Sequence, residues 1–236
     1  MKFQLLASSS HGNAYIVSDR DTRILLECGV SYRKLQRLSG FKAADFSACL
    51  ISHEHKDHSA CVQNVISSGV PVYMSEGTAV ALGVEGVETI SAMKQFRIGT
   101  IDIVPFTTFH DAAEPLGFLF RSQTDGESLA FATDTVNLRY QFQDLTMLAI
   151  EANFDKEILA LCDRMPEKIR YRITNTHMEI GTLCDYLKTL DLSRCREIFL
   201  LHLSDATSRE WEFAHRVRRV VPRATAVTVC KKESQL

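Results

Sequence analysis

Apolar and polar positions fall into alternating short blocks along the chain, and each block predicts an element. Phe3 to Leu6, Ala14 to Val17 and Arg23 to Leu26 read as strands, the last two paired across a turn at Asp19-Arg20-Asp21. Ser31 to Leu38 reads as a helix, and the continuous apolar run Ala48 to Ile51 as a buried strand. Asp57 to Ser67 predicts one helix with Asp57 as its N-cap. A strand at Pro71 to Met74 and a helix at Glu76 to Leu82 follow. The middle is strand-like at Gln95 to Ile98, Ile101 to Phe106, Leu116 to Phe120 and Leu129 to Ala132. Then come a strand at Met147 to Ala152 and helices at Lys156 to Cys162 and Gly181 to Leu190. A strand at Ile198 to His202, a helix at Ser208 to Val217 and a strand at Ala224 to Val229 end the pattern. β-rich stretches interleaved with helices imply two facing sheets with helices outside; one doubly wound sheet is the alternative. No repeat or Pro/Gly/Ser-rich linker marks a boundary, so residues 1–236 are expected to form a single domain.

Composition narrows the class. Lys and Arg number 27 against 29 Asp and Glu, a formal net charge of −2, and 45% of residues are hydrophobic. These values exclude a disordered, a collagenous or a strongly basic nucleic-acid-coating chain. No run of about 18 apolar residues and no export signal is present, so a cytoplasmic protein without a membrane partner is expected. The 7 cysteines are an odd count, scattered and without a C-x-x-C pair, which reads as reduced thiols in the core.

The candidate chemistry begins at His53-Glu54-His55-Lys56-Asp57-His58, between an apolar run and a helix. His53 and His55 are two apart, so on extended chain they point the same way and can ligate one cation. Asp57 and His58, at the turn into the helix, are displaced towards a second. Three more candidates close apolar runs: His110, in Thr107-Thr108-Phe109-His110-Asp111; Asp134, placed to bridge two cations; and His202. Imidazole with carboxylate suits zinc, iron or manganese. Two such ions about 3.5–4 Å apart lower the pKa of a shared water and clamp both oxygens of a displacement, which implies hydrolysis by metal-bound hydroxide.

These residues resemble the metallo-β-lactamase superfamily. The resemblance implies an αββα sandwich of two mixed sheets with helices on the outer faces and two divalent metal ions, zinc by default and manganese or iron otherwise. By resemblance, His53, His55 and His110 hold the first ion, Asp57, His58 and His202 the second, and Asp134 bridges. A narrower likeness is to YycJ/WalJ-type proteins. It is carried by Ser8-Ser9-Ser10-His11-Gly12-Asn13, by Thr108 to Phe118, by Glu151-Ala152-Asn153, by Arg172 to Asn175 and by Leu201 to Ser204. That group implies DNA as partner and 5′-to-3′ exonuclease activity. By resemblance His177 contacts the scissile phosphate or protonates the leaving oxygen; His11 and Asn13 in the opening loop are expected to meet substrate, and Asp57 to accept the nucleophile's proton. Glu27 stands where the superfamily usually has Asp and is expected to orient a metal-binding histidine. Phe154 replaces a usual His, Thr176 a Gly, and Met178-Glu179 a Leu-Ser; Ser59-Ala60-Cys61 lacks the usual Gly. Arg216, Arg218 and Arg219 around His215 read as a solvated helix face.

The leading expectation is thus a dinuclear metal-dependent phosphodiesterase acting on DNA. A small-molecule hydrolase of cyclic nucleotides, cyclic phosphates or thioesters is the first alternative, and a non-catalytic nucleotide binder the second. The sequence leaves oligomeric state open.

Overall fold

The structure is a computed structural model, described here for residues 1–230. Its contacts divide the chain into two compact units.

The first unit comprises residues 1–107 and 112–127. Its strands are β1 (Lys2–Ala7), β2 (Ala14–Asp19), β3 (Thr22–Leu26), β4 (Ala48–Leu50), β5 (Val72–Met74), β6 (Glu88–Thr89), β7 (Phe96–Ile98), β8 (Ile101–Thr107) and β9 (Leu116–Ser122). Its helices are α1 (Tyr32–Leu38), α2 (Lys56–Ser59), α3 (Val62–Ser67) and α4 (Glu76–Leu82). Strands β1 to β6 lie side by side in chain order. β1, β2 and β3 pair antiparallel, Tyr15 opposite Leu26, whereas β3 to β6 pair parallel, Leu25 opposite Cys49. The switch follows the connections: Asp19-Arg20-Asp21 suffices for a hairpin, but parallel neighbours need a crossover, supplied by the helices. Ala48, Cys49 and Leu50 are all buried, as a strand covered on both faces requires. β7, β8 and β9 form an antiparallel meander.

The expected helix over Asp57 to Ser67 is broken. α2 ends at Ser59 and α3 begins at Val62, and the N-cap position of α2 is His55, not Asp57. Outside groups take the bonds that would continue the helix. The Asp57 carbonyl accepts from the Asn13 amide N–H at 2.8 Å, the His58 carbonyl accepts from Cys28 N–H at 2.8 Å, and Cys61 N–H donates to the Cys28 carbonyl at 3.0 Å. Gly29 allows this approach: a Cβ there would stand 1.6 Å from the Asp57 carbonyl oxygen.

The second unit comprises residues 108–111 and 128–230. It contains β10 (Ser128–Ala132), β11 (Met147–Glu151), β12 (Glu197–Leu201) and β13 (Ala226–Val229), with α5 (Lys156–Ala160), α6 (Glu167–Thr176), α7 (Ile180–Thr189) and α8 (Glu210–Arg218). The four strands pair parallel in chain order, with Phe131 opposite Ala149 and Ala149 opposite Phe199. Helix α6 was not expected. Its only buried residue is Thr176, so it carries no apolar stripe for periodicity to detect. Arg216 on α8 pairs with Asp155, and Arg218 donates to the Val227 carbonyl at 3.1 Å, so that basic face is partly engaged within the fold.

All seven cysteines are free thiols and six are buried. Burial pushes Cys195 up to about 11 and Cys230 up to about 12, so both stay protonated near neutral pH. Among the described residues no helix is long and apolar enough to cross a membrane.

Candidate metal centre

In the first unit the chain leaves β4 and passes directly through the histidine motif. His53 Nε2 lies 3.1 Å from His55 Nδ1, and the His53 and His58 rings are 4.2 Å apart. His53 Nδ1 is 2.8 Å from the Ser52 hydroxyl. Asp57 Oδ2 lies 3.3 Å from His58 Nε2. Glu27 is fully buried just beyond β3, with a left-handed φ of 62°. Its carboxylate accepts the Ser52 N–H at 3.2 Å and stands 3.6 Å from His58 Nδ1. It touches both the base of the motif and its last imidazole, so its placement suits an orienting role.

Asn13 is fully buried, and its side chain is engaged within the protein. Its amide donates to the Asp57 carbonyl at 3.1 Å and lies 3.2 Å from His58 Nε2, while its oxygen accepts from the Tyr15 hydroxyl at 3.0 Å. Asn13 thus ties the opening loop to the backbone and the last imidazole of the motif. His11 is exposed and lines a recess of about 510 Å³ together with Lys34, Lys56 and Asp57.

In the second unit the ligand candidates come from separate elements. His110 Nδ1 donates to the Thr176 carbonyl at 2.8 Å, and its Nε2 lies 3.6 Å from Asp134. His202 Nδ1 lies 3.3 Å from the other Asp134 oxygen. One donor atom each from Asp134, Glu151, His177 and His202 falls within 4.8 Å of the others. Asp134 and His202 have left-handed φ values of 42° and 54°, so each chain bends sharply just past its strand. Burial lowers the pKa of His110, which keeps it neutral as ligation requires.

Glu151 is the member of this cluster missing from the sequence-derived site. It closes β11, is fully buried, and lies 2.6 Å from His177 Nδ1 and 3.1 Å from His202 Nδ1. Its second oxygen accepts from the N–H groups of Thr135 at 2.8 Å and Met178 at 3.1 Å. The signal was present, an acid ending the buried run Met147-Leu148-Ala149-Ile150, the grammar that selected Asp134 and His202. Burial opposes charge on His177, but the Glu151 carboxylate beside it outweighs that and raises its pKa. Burial likewise opposes charge on Glu151, and His177 tips it downward. The two form an ion pair with His177 Nδ1 committed to it. His177 also lines a recess of about 480 Å³ with Phe154, Lys156 and Glu179.

Two of the unusual residues have local explanations. Met178 is fully buried, a volume-conserving replacement for Leu. Glu179 caps α7 by accepting the Thr182 N–H at 3.0 Å, the task a Ser performs at such a position. Thr176 holds His110 through its backbone carbonyl, which any residue supplies, so nothing in the structure explains its replacement of Gly.

The donors in both units fit divalent cations. Facing imidazole nitrogens, as in His53 and His55, repel unless a proton or cation lies between them. The outer nitrogens of His53 and His110 are held by a hydroxyl and a carbonyl, the supporting bonds that metal-binding histidines use.

A family model described as the beta-lactamase superfamily domain matches residues 22–202. The exodeoxyribonuclease YycJ of Bacillus anthracis is 28% identical over 228 residues, covering 86% of this chain and 83% of that protein. The exodeoxyribonuclease WalJ of Streptococcus pneumoniae is 29% identical over 236 residues, covering 91% of this chain and 85% of that one. Among solved structures, the metallo-beta-lactamase fold protein YhfI from Bacillus subtilis superposes with a TM-score of 0.74 at 16% identity, covering 98% of this chain and 97% of that chain.

Proposed function

The chain belongs to the beta-lactamase superfamily and is a metal-dependent hydrolase, and from that premise we propose that it hydrolyses phosphodiesters of DNA from the 5′ end. The observation that carries this reading is the pair of donor clusters, His53, His55, Asp57 and His58 in the first unit and His110, Asp134 and His202 in the second, in a chain of this superfamily. On the family pattern His53, His55 and His110 would hold one divalent ion, Asp57, His58 and His202 would hold a second, and Asp134 would serve both, with zinc the first choice for so histidine-rich a set. Such ions, when bound, neutralise phosphoryl charge and make water acidic enough to ionise near neutral pH. DNA enters the reading through the two relatives named exodeoxyribonucleases.

The chain's own residues supply the rest. Asp57, whose side chain keeps 24% of its surface, accepts the proton of the attacking water. Glu151 holds His177 charged and oriented through Nδ1, which leaves Nε2 to protonate the departing oxygen. The recess beside His177 is also of a size for a small phosphodiester, and this supports the small-molecule alternative.

The test uses protein of known metal content, 5′-labelled and 3′-labelled duplex DNA, and bis-p-nitrophenyl phosphate. Progressive loss from the 5′ end, absent in His55→Ala, is the expected result. Turnover of the small diester with intact DNA would establish the alternative instead.

A further inference from the structure

The positive charge on α1 is concentrated on one side. Leu35 and Leu38 are buried, while Arg33 and Arg37 are exposed and Lys34 is half-buried. Positions three and four apart on a helix lie about 5–6 Å from each other, so the three cations form one patch. They line a recess of about 430 Å³ together with Phe41. Ser31 and Lys34 also line the recess of about 510 Å³ that holds His11, Lys56 and Asp57. The two recesses thus adjoin at Ser31 and Lys34, a track with Phe41 at one end and a candidate ligand of the metal centre at the other. Among the described residues that line it, Asp57 is the only acid, in a chain whose net charge is −2.

Phe41 is the second observation. Its ring is 79% exposed and its φ is +61°, both costly for a bulky apolar residue. The conformation is secured by its N–H donating to the Gln36 carbonyl at 2.6 Å, so the ring is held out at the end of the cationic helix. Packing does not account for that exposure. An aromatic face at the end of a cationic groove is the arrangement that binds unpaired bases and their backbone.

We propose that this track binds single-stranded polynucleotide, with phosphates against Arg33, Lys34, Arg37 and Lys56 and a base stacked on Phe41. The inference rests on the nucleic-acid reading above, and it assigns the strand a path to Asp57.

The test is binding of a fluorescent oligonucleotide by anisotropy across a salt series, with turnover of bis-p-nitrophenyl phosphate measured in parallel. At about 0.7 per phosphate contact, replacing Arg33, Lys34 and Arg37 together by Gln lowers the slope of log affinity against log salt by roughly 2. Phe41→Ala weakens binding by roughly 5- to 100-fold with the slope unchanged, and Phe41→Trp restores it. Both variants keep wild-type turnover of the small diester, which also shows that they fold. DNA and RNA oligonucleotides run side by side distinguish the two backbones. An unaltered slope in the triple variant, or charge-dependent binding to anionic phosphatidylglycerol vesicles with none to oligonucleotide, overturns the proposal. Wild-type binding that depends on the track, without DNA turnover, upholds the track and defeats only the exonuclease reading.

Discussion

The two units assemble their polar clusters by opposite means. In the first, four donors fall within six residues, His53 to His58, on a single turn of chain after β4. In the second, His110, Asp134, Glu151, His177 and His202 come from five separate segments, three of them at the ends of parallel strands. The first cluster is built by local geometry and trimmed by contacts with Asn13, Cys28 and Gly29. The second exists only because parallel pairing brings the ends of β10, β11 and β12 to one edge. Both pay with strained backbone, at Glu27 on one side and at Asp134 and His202 on the other. Support differs as well. Glu27 stands 3.6 Å from one imidazole, whereas Glu151 lies within 3.1 Å of two.

The largest effects should come from removing a ligand on either side. His55→Ala and Asp134→Asn are each expected to lower turnover by at least ~10³-fold, about 4 kcal/mol of barrier, and to lose metal measurable by elemental analysis. Near wild-type activity in Asp134→Asn would end its bridging assignment. Next come the supporting carboxylates. Glu151→Gln should weaken metal retention by roughly 100-fold and Glu27→Gln by nearer 10-fold, within the range for groups that orient ligands. Equal losses in a chelator competition would erase the distinction drawn between the two supports.

Gly29→Ala tests how far the first cluster depends on close backbone approach. The added methyl must displace the Asp57 peptide, which should cost on the order of 2–3 kcal/mol and lower Tm by roughly 5–10 °C. An unchanged Tm would mean that the motif tolerates a shift in the loop after β3.

The smallest effect is a pH dependence in the metal-free protein. His177 has a raised pKa, so its contribution is full below its ordinary 6.5 and fades as pH rises through the higher folded value. Glu151 has a lowered pKa, so its contribution is present above its ordinary 4.5 and fades as pH falls through the lower folded value. Between about pH 4.5 and 6.5 both contribute fully, and there the Tm difference between wild type and His177→Gln should be greatest. A difference that grows above pH 7 would contradict the ion pair.

Much of this is legible in the sequence alone. The strands, and the alternation of sheet with helix, follow from apolar runs that have only one way to leave water. The motif His53 to His58 is visible because its members are neighbours in the chain, and His110, Asp134 and His202 because a polar residue closing a buried run needs a use. Tertiary structure decided the rest. It split the helix after Asp57, because the hydrogen bonds that would continue it go to Asn13 and Cys28, residues distant in sequence. It turned Asn13 inward to hold His58. It formed α6 without an apolar stripe. It also placed Glu151 against His177 and His202, a meeting of residues 26 and 51 positions apart that parallel strands permit and periodicity along the chain does not encode.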